Sequence, residues 1–150
     1  MSIKIVSNAF KDGEMIPSKY TCKGENISPQ ISWQVQSDDK KIKSIALIMN
    51  DPDAPNGDWV HWVVFDIPSD KTELAENETI KHPIGIGKNS WGKNEYGGPC
   101  PPSGTHRYFF KIYVLDNLLV SGETTTKDLL LKAMKRHIID SGELMGKYSK

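Results

Sequence analysis

A continuous apolar run that ends in two aspartates limits most strongly what this chain can fold into. Residues 44–49 carry a single polar side chain, and the run is too short for a buried helix. It therefore predicts a strand with both faces buried. Prolines at positions 52 and 55 fix their own φ angles and favour extended residues before them. Asp51 and Asp53 are expected on this stiff turn, with residues 59–67 returning as the neighbouring strand.

Three further segments have the composition of strands. Residues 107–115 are rich in aromatic and β-branched side chains and predict a central strand. Residues 3–6 and 31–33 predict shorter strands, the second with the alternation of a half-buried strand.

The remaining segments before the C-terminal region predict turns and loops. Residues 37–41 are charged and residues 68–81 are polar and acidic, as is typical of surface segments. Residues 82–104 are dominated by proline and glycine. An irregular segment of this length in a small domain usually serves a function, so we expect it to border a ligand site.

The sequence predicts one clear helix, near the C-terminus. It starts at Thr125 or Thr126, where Thr125 and Asp128 have the spacing of a capping box and Asp128 complements the helix dipole. Apolar side chains then recur at helical spacing as far as Ile138, and Gly142 is the expected C-cap. A second short turn is expected directly after it.

Composition excludes some function classes. Nineteen basic and nineteen acidic residues give a formal net charge of zero, which argues against a nucleic-acid-binding domain. No apolar run approaches the ~20 residues that a membrane-spanning helix needs. The N-terminus turns polar without the apolar stretch of a signal peptide. We expect one cytoplasmic domain over residues 1–150, without a transmembrane segment.

Cys22 and Cys100 are the two cysteines of the chain. Two cysteines do not make a disulfide framework, and in a cytoplasmic protein both are expected to be reduced. The alternative is a bridge or a redox pair, because both lie in turn-rich segments that can approach each other. Neither their number nor their spacing fits a zinc site of the C-x-x-C kind.

The aspartate turn and a second polar cluster predict a binding site. His61 lies on the return strand, and His106 and Tyr108 open the strand that follows the long loop. Imidazole rings, a phenol and the backbone N–H groups of a glycine-rich loop are donors that hold a compact anion such as phosphate. A carboxylate beside a histidine fixes its tautomer, so Asp51 is expected to position a histidine. A ligand with both a phosphate and an amine, such as phosphoethanolamine, offers an anion to the donors and a cation to the Asp51 carboxylate.

Other residues are expected to support this site. Gly98 and Gly104 lack a Cβ and allow the backbone to approach closely. Asp53 is expected to pair with Arg107 through charge-assisted hydrogen bonds that tie the two clusters together.

Alternative interpretations of these residues stay open. A small hydrolase or a metal-dependent enzyme would use one shared set: Asp51, His61, His106 and Tyr108. A nucleophile is missing, because Ser103 lies outside a G-x-S-x-G context and Cys100 is flanked by prolines. His61 taken alone is more typical of a structural hydrogen bond than of a ligand contact. Trp59 and Trp62 are expected to serve packing, with a wall of the pocket as the alternative for one of them. We expect no catalysis, no metal and no cofactor.

Several motifs together resemble the phosphatidylethanolamine-binding protein family, in the compact form of its prokaryotic, Raf kinase inhibitor-like branch. The resemblance covers nearly the whole chain, and its most specific motifs are Asp51-Pro52-Asp53-Ala54-Pro55 with His61, Gly97-Gly98-Pro99-Cys100-Pro101-Pro102, and Gly104 with His106-Arg107-Tyr108. It implies a mainly β fold, a Greek-key β-sandwich with a C-terminal helix, few peripheral helices and a pocket at one end.

The resemblance also implies site residues and partners. The ligand-binding residues it implies are Asp51, His61, Pro102, His106 and Tyr108. The residues expected to support the site are Asp53, Pro55, Gly98, Gly104 and Arg107. A small phosphorylated or anionic ligand is the expected partner, and a kinase or another protein is the alternative. A homodimer through residues 82–96 and a gating role for Tyr148 are further implications.

Overall fold

The computed structural model describes residues 3–35, 41–119 and 122–150 of the chain. Most of the charged turn predicted at 37–41 lies outside these residues. The strands are β1 (Lys4–Val6), β2 (Ile31–Gln34), β3 (Ser44–Asp51), β4 (Trp59–Pro68), β5 (Glu73–Leu74), β6 (Gly85–Ile86), β7 (Thr105–Leu115) and β8 (Ile138–Ser149). The helices of the described part are a 3-10 turn, Ser18–Tyr20, and α1, Lys127–Met134.

The strands form two antiparallel sheets. One has three strands in the order β1-β2-β5, and the other has five in the order β6-β4-β3-β7-β8. β3 lies at the centre of the larger sheet, where Met49 pairs with Trp62 of β4 and with Phe110 of β7. All eight residues of β3 are buried, so the prediction of a strand buried on both faces is confirmed.

The two faces of the five-stranded sheet pack into different cores. Ile45, Leu47 and Met49 belong to the larger core, together with residues of the three-stranded sheet. Ala46 and Ile48 point to the other face and pack in a second core with Leu130 and Met134 of α1 and other neighbours. The continuous apolar run therefore exists because each face of the central strand meets its own apolar layer.

The C-terminal helix is much shorter than predicted. Thr126, not Thr125, is the N-cap, and its side chain accepts a hydrogen bond from the Leu129 N–H at 3.3 Å. The helix ends at Met134, and Arg136 takes a left-handed conformation with φ 82°. The helical prediction beyond this point, its C-cap at Gly142 and the turn at 143–146 are wrong.

The strand β8 replaces the second half of the predicted helix. It pairs with β7 along almost its whole length, from Leu115 opposite Ile138 to Thr105 opposite Ser149. Gly142 lies inside this ladder, where a Cβ would come within 2.3 Å of the Ile3 carbonyl oxygen. Pairing with the free edge of β7 provides hydrogen-bond partners for the backbone N–H and C=O groups of these residues, whose sequence pattern fits either a helix or a strand.

Among the described residues, no helix combines the length and the apolar composition that crossing a bilayer requires.

Candidate ligand-binding site

A cavity of about 480 Å³ lies at one edge of the five-stranded sheet. Because neighbouring strands are antiparallel, the end of β3 and the starts of β4 and β7 meet at this edge. All five predicted ligand-binding residues line the cavity: Asp51, His61, Pro102, His106 and Tyr108. Its volume lies in the range of small-molecule sites, roughly 300–1,000 Å³. The structure thus brings the predicted ligand-binding residues together around one cavity.

Asp51 positions His106, as the sequence predicts. Its Oδ2 lies 2.7 Å from His106 Nδ1, and both residues are buried. A carboxylate only accepts, so Nδ1 carries the proton and Nε2 is left for a ligand. The other oxygen, Oδ1, accepts from the Asp53 N–H at 2.7 Å, and this bond fixes the carboxylate plane.

His61 is held in the same tautomer by the backbone. Its Nδ1 lies 2.6 Å from the Gly97 carbonyl oxygen, which can only accept, so the proton is on Nδ1. Burial lowers the pKa of His61 and outweighs the Gly97 carbonyl and the Asp51 charge, which act in the opposite direction. His61 is therefore neutral near pH 7, with Nε2 as an acceptor until a proton is taken up.

The depressed pKa of His61 predicts a loss of stability in acid. The unfolded chain binds a proton near pH 6.5, whereas folded His61 binds it only at lower pH. Stability therefore falls as pH drops from 7 through 6.5 toward the folded pKa. We expect the melting temperature to fall less steeply over this window in His61→Gln than in the wild type. His137→Gln, at an exposed histidine, is the control; equal slopes in all three proteins would contradict the prediction.

Tyr108 supplies a buried donor beside both histidines. Its ring lies 5.2 Å from that of His61 and 6.5 Å from that of His106, centroid to centroid. Burial and the nearby charge of Asp51 raise the pKa of Tyr108, so the phenol stays protonated. The hydroxyl is buried and lies close to the Asp51 carboxylate and the Cys100 backbone, without a hydrogen bond of full geometry to either. A ligand acceptor in the cavity would complete the hydrogen bonding of this donor.

The predicted pair of Asp53 and Arg107 is present. Arg107 donates from Nε and Nη2 to the two Asp53 oxygens, both at 2.9 Å, and its backbone N–H donates at 3.0 Å. The guanidinium lowers the pKa of Asp53 to about 2. Neither residue lines the cavity. The pair joins the aspartate turn to the start of β7 and so places Asp51 opposite His106.

Comparison with known proteins agrees with the resemblance that the sequence motifs indicated. The family model described as phosphatidylethanolamine-binding protein matches residues 6–149. The chain belongs to the phosphatidylethanolamine-binding protein family. A UPF0098 protein from Methanothermobacter thermautotrophicus is 46% identical over 150 residues, which cover 97% of this chain and 98% of the relative.

Two solved structures show that the phosphatidylethanolamine-binding protein fold extends over the whole chain. A Chlamydia trachomatis protein, CT736, described as a phosphatidylethanolamine-binding protein homologue, is 42% identical with a TM-score of 0.91, covering 99% of this chain and 98% of its own. Escherichia coli YbcL, described as a member of the mammalian family, is 27% identical with a TM-score of 0.90, covering 100% and 99%. The expected fold class is confirmed.

In this phosphatidylethanolamine-binding protein family member, the two glycines expected to support the site have different structural roles. A Cβ on Gly98 would come within 2.2 Å of the Tyr20 carbonyl oxygen and 2.4 Å of Asn26 Oδ1. Gly104 has φ +66° with open space around it, so it serves the turn before β7. Neither glycine lines the cavity, whereas Pro55, also expected to support the site, does.

The two cysteines are joined in a disulfide, and the expectation that both are reduced is wrong for this structure. They are 78 residues apart in the chain, and both line the cavity. Sequence spacing does not show that the loops meet, because the contact depends on how they pack at the end of the sandwich. The alternative weighed from the sequence, a bridge between the two loops, is the one observed.

Residues 82–104 were expected to serve a ligand site, but the sequence did not show that the part at 89–97 forms a wall of the cavity. Trp91 lies edge-on to both His61 and Trp59, with ring centroids 5.2 and 5.5 Å apart. Buried Asn89 shapes this loop, because its side chain accepts from the N–H groups of Trp91 and Lys93 at 2.9 and 3.0 Å. Trp59, Trp91 and Lys93 line the cavity. The available signal was the aromatic and polar content of the proline- and glycine-rich segment.

Two other sequence hypotheses concern this cavity. Tyr148 does not line it, and its hydroxyl lies 2.8 Å from Ser18 Oγ, so the gating role stays a prediction. For the metal hypothesis, no three His, Cys, Asp or Glu side chains within 3–35, 41–119 and 122–150 converge as a metal-binding group.

Proposed function

We propose that the protein binds a small phosphorylated ligand, such as a phosphoethanolamine head group, in the cavity. The observation that carries the proposal is the Asp51–His106 pair, buried beside neutral His61 and the Tyr108 hydroxyl. Each histidine has Nδ1 occupied and Nε2 available, so protonation turns both rings into donors toward the cavity. A phosphate group supplies the negative charge that favours this protonation and an acceptor for the phenol.

The arrangement favours binding over hydrolysis. Cys100 is oxidised in this structure, and in this state it has no thiolate to act as a nucleophile. Ser103, the other candidate nucleophile, is exposed and does not line the cavity. A catalytic acid and base without a positioned side-chain nucleophile cannot carry out hydrolysis through a covalent intermediate.

A regulatory role is the second candidate, because the mouth of the cavity is open and aromatic. Trp59 and Trp91 line it and are 36% and 44% exposed. These side chains leave room for a phosphate carried on a larger molecule, such as a phosphorylated protein side chain. Phosphoserine peptides compared with phosphoethanolamine distinguish the two candidates, since only a regulatory site should bind the peptide more tightly.

The test of the proposed function is a titration with phosphate and phosphoethanolamine, followed by NMR of the histidine rings. We expect the His61 and His106 signals to shift together toward the protonated form at millimolar ligand. His106→Ala should weaken binding roughly tenfold to hundredfold, because it removes one charge-assisted hydrogen bond.

An exposed histidine provides the matched control for this titration. His137 Nδ1 lies 2.8 Å from Asp116 Oδ1, which repeats the Asp51–His106 pairing away from the cavity. His137→Ala should bind phosphate as the wild type does. If the ring signals of His61 and His106 stay unchanged at millimolar ligand, both histidines are structural and the proposal is wrong.

A further inference from the structure

The disulfide occupies an unusual place for a structural crosslink. Cys22 and Cys100 both line the ligand cavity, and both residues are exposed to solvent. Disulfides that hold a fold together are normally protected, whereas accessible ones exchange with thiols and are the labile, regulatory or catalytic class. A small molecule in the cavity can therefore reach the sulfur atoms.

The loops around the disulfide are held together without it. The Cys22 N–H donates to the Pro99 carbonyl oxygen at 3.1 Å, and the Gly98 N–H donates to Asn26 Oδ1 at 2.8 Å. The Tyr96 hydroxyl donates to the carbonyl oxygen of Tyr20 at 2.7 Å. None of these bonds involves sulfur, so they persist when the disulfide is broken. The two thiols then stay side by side, and the bond can form again.

We propose that Cys22–Cys100 is a redox-active site that exchanges with low-molecular-weight thiols entering the cavity. The exchange does not depend on phosphate binding. Its oxidised form is the one in the structure, and its reduced form is a dithiol held in the same wall of the cavity.

Neither sulfur has a cation beside it that sets the direction of attack. Lys23 follows Cys22 in the chain, but its ammonium lies 3.5 Å from the Ser149 carbonyl oxygen and 5.5 Å from the centre of the Tyr148 ring. Attack on either sulfur leads to the same dithiol.

The exchange takes two steps. The thiolate of the small molecule bonds to one Sγ of the pair, the Cys22–Cys100 bond breaks, and its electron pair leaves on the other Sγ, which takes a proton from water. A second small thiolate then attacks the small-molecule sulfur of this mixed disulfide and releases the protein sulfur as a thiolate. The protein disulfide gains two electrons, and the two small thiols are oxidised to their own disulfide.

The experiment equilibrates the native protein with reduced and oxidised glutathione in phosphate-free buffer and counts thiols by maleimide labelling and mass. We expect complete and reversible reduction while the NMR spectrum keeps the dispersion of the folded protein. Acid quenching and peptide mapping should find a glutathione adduct on a cysteine of the pair. Reduction that needs denaturant, that unfolds the protein, or that passes through no adduct on either cysteine would overturn the proposal.

The double variant Cys22→Ser/Cys100→Ser tests the reduced state separately. Since three hydrogen bonds hold the loops, we expect the double variant to fold. The backbone chemical shifts of residues 96–99 should be close to those of the reduced wild type. If the double variant and the reduced wild type both lose the shifts of the folded loop, the disulfide is a structural crosslink. A negative phosphate titration would leave this result unchanged, so failure of the proposed function and failure of the redox site are distinguishable.

Discussion

Replacing Gly98 with alanine is expected to lower the free energy of unfolding by about 3 kcal/mol, because the new methyl group has no space. The Cβ would overlap the Tyr20 carbonyl oxygen, at 2.2 Å, and Asn26 Oδ1, at 2.4 Å. Both atoms accept hydrogen bonds that join the two loops. The Tyr20 carbonyl oxygen accepts from the Tyr96 hydroxyl, and Asn26 Oδ1 accepts from the Gly98 N–H. Backbone must therefore move, and these hydrogen bonds weaken together.

Thermal unfolding measures this effect against two other glycines. A loss of about 3 kcal/mol corresponds to a fall in melting temperature of roughly 10 °C for a domain of this size. Gly122→Ala, with nothing within 4 Å of the new Cβ, should change stability by less than about 0.5 kcal/mol. Gly104→Ala, at φ +66°, should cost about 1 kcal/mol. If Gly98→Ala is as stable as Gly122→Ala, the loops do not pack as described.

Strands whose side-chain pattern follows directly from their surroundings were predictable from the sequence. β3 is apolar at nearly every position because both its faces are buried, and β7 is rich in side chains that favour strands. The helix boundary failed for a physical reason. Residues 138–142 have a pattern that suits either a helix or a strand. They form a strand because they pair with the free edge of β7. No property of the segment itself contains that information.

The candidate site divides in the same way. The pair of Asp53 with Arg107 and a histidine beside Asp51 were predictable, because complementary groups lie at the end of β3 and the start of β7, which meet at one edge. The disulfide was only an alternative, and Trp91 was not singled out. Both depend on how irregular loops pack across the cavity, and loop packing leaves no periodic signal in the sequence.

Replacing Asp51 with asparagine is expected to invert the tautomer of His106 without removing a hydrogen bond. The Asp53 N–H donates to one Asp51 oxygen at 2.7 Å and must keep an oxygen there. The asparagine NH₂ group then faces His106 Nδ1, at the place of the oxygen that lies 2.7 Å away. An NH₂ group only donates, so Nδ1 must become the acceptor and the ring proton moves to Nε2.

The same change should weaken phosphate binding about tenfold to hundredfold, because the carboxylate that stabilises a charged His106 ring is lost. We expect the wild type to bind phosphate more tightly as pH falls from 8 to 6, and Asp51→Asn should reduce this gain. Binding is measured by titration calorimetry across this pH range, and the tautomer by ¹⁵N-detected NMR of the ring nitrogens.

Asp116→Asn is the control, since Asp116 contacts His137 at 2.8 Å on an exposed part of the surface. It should leave phosphate affinity and its pH dependence unchanged. Wild-type affinity in Asp51→Asn, together with an inverted His106 tautomer, would show that a neutral Nε2–H donor is sufficient. The charge of Asp51 would then have no part in ligand binding, and the proposed proton uptake at His106 would be wrong.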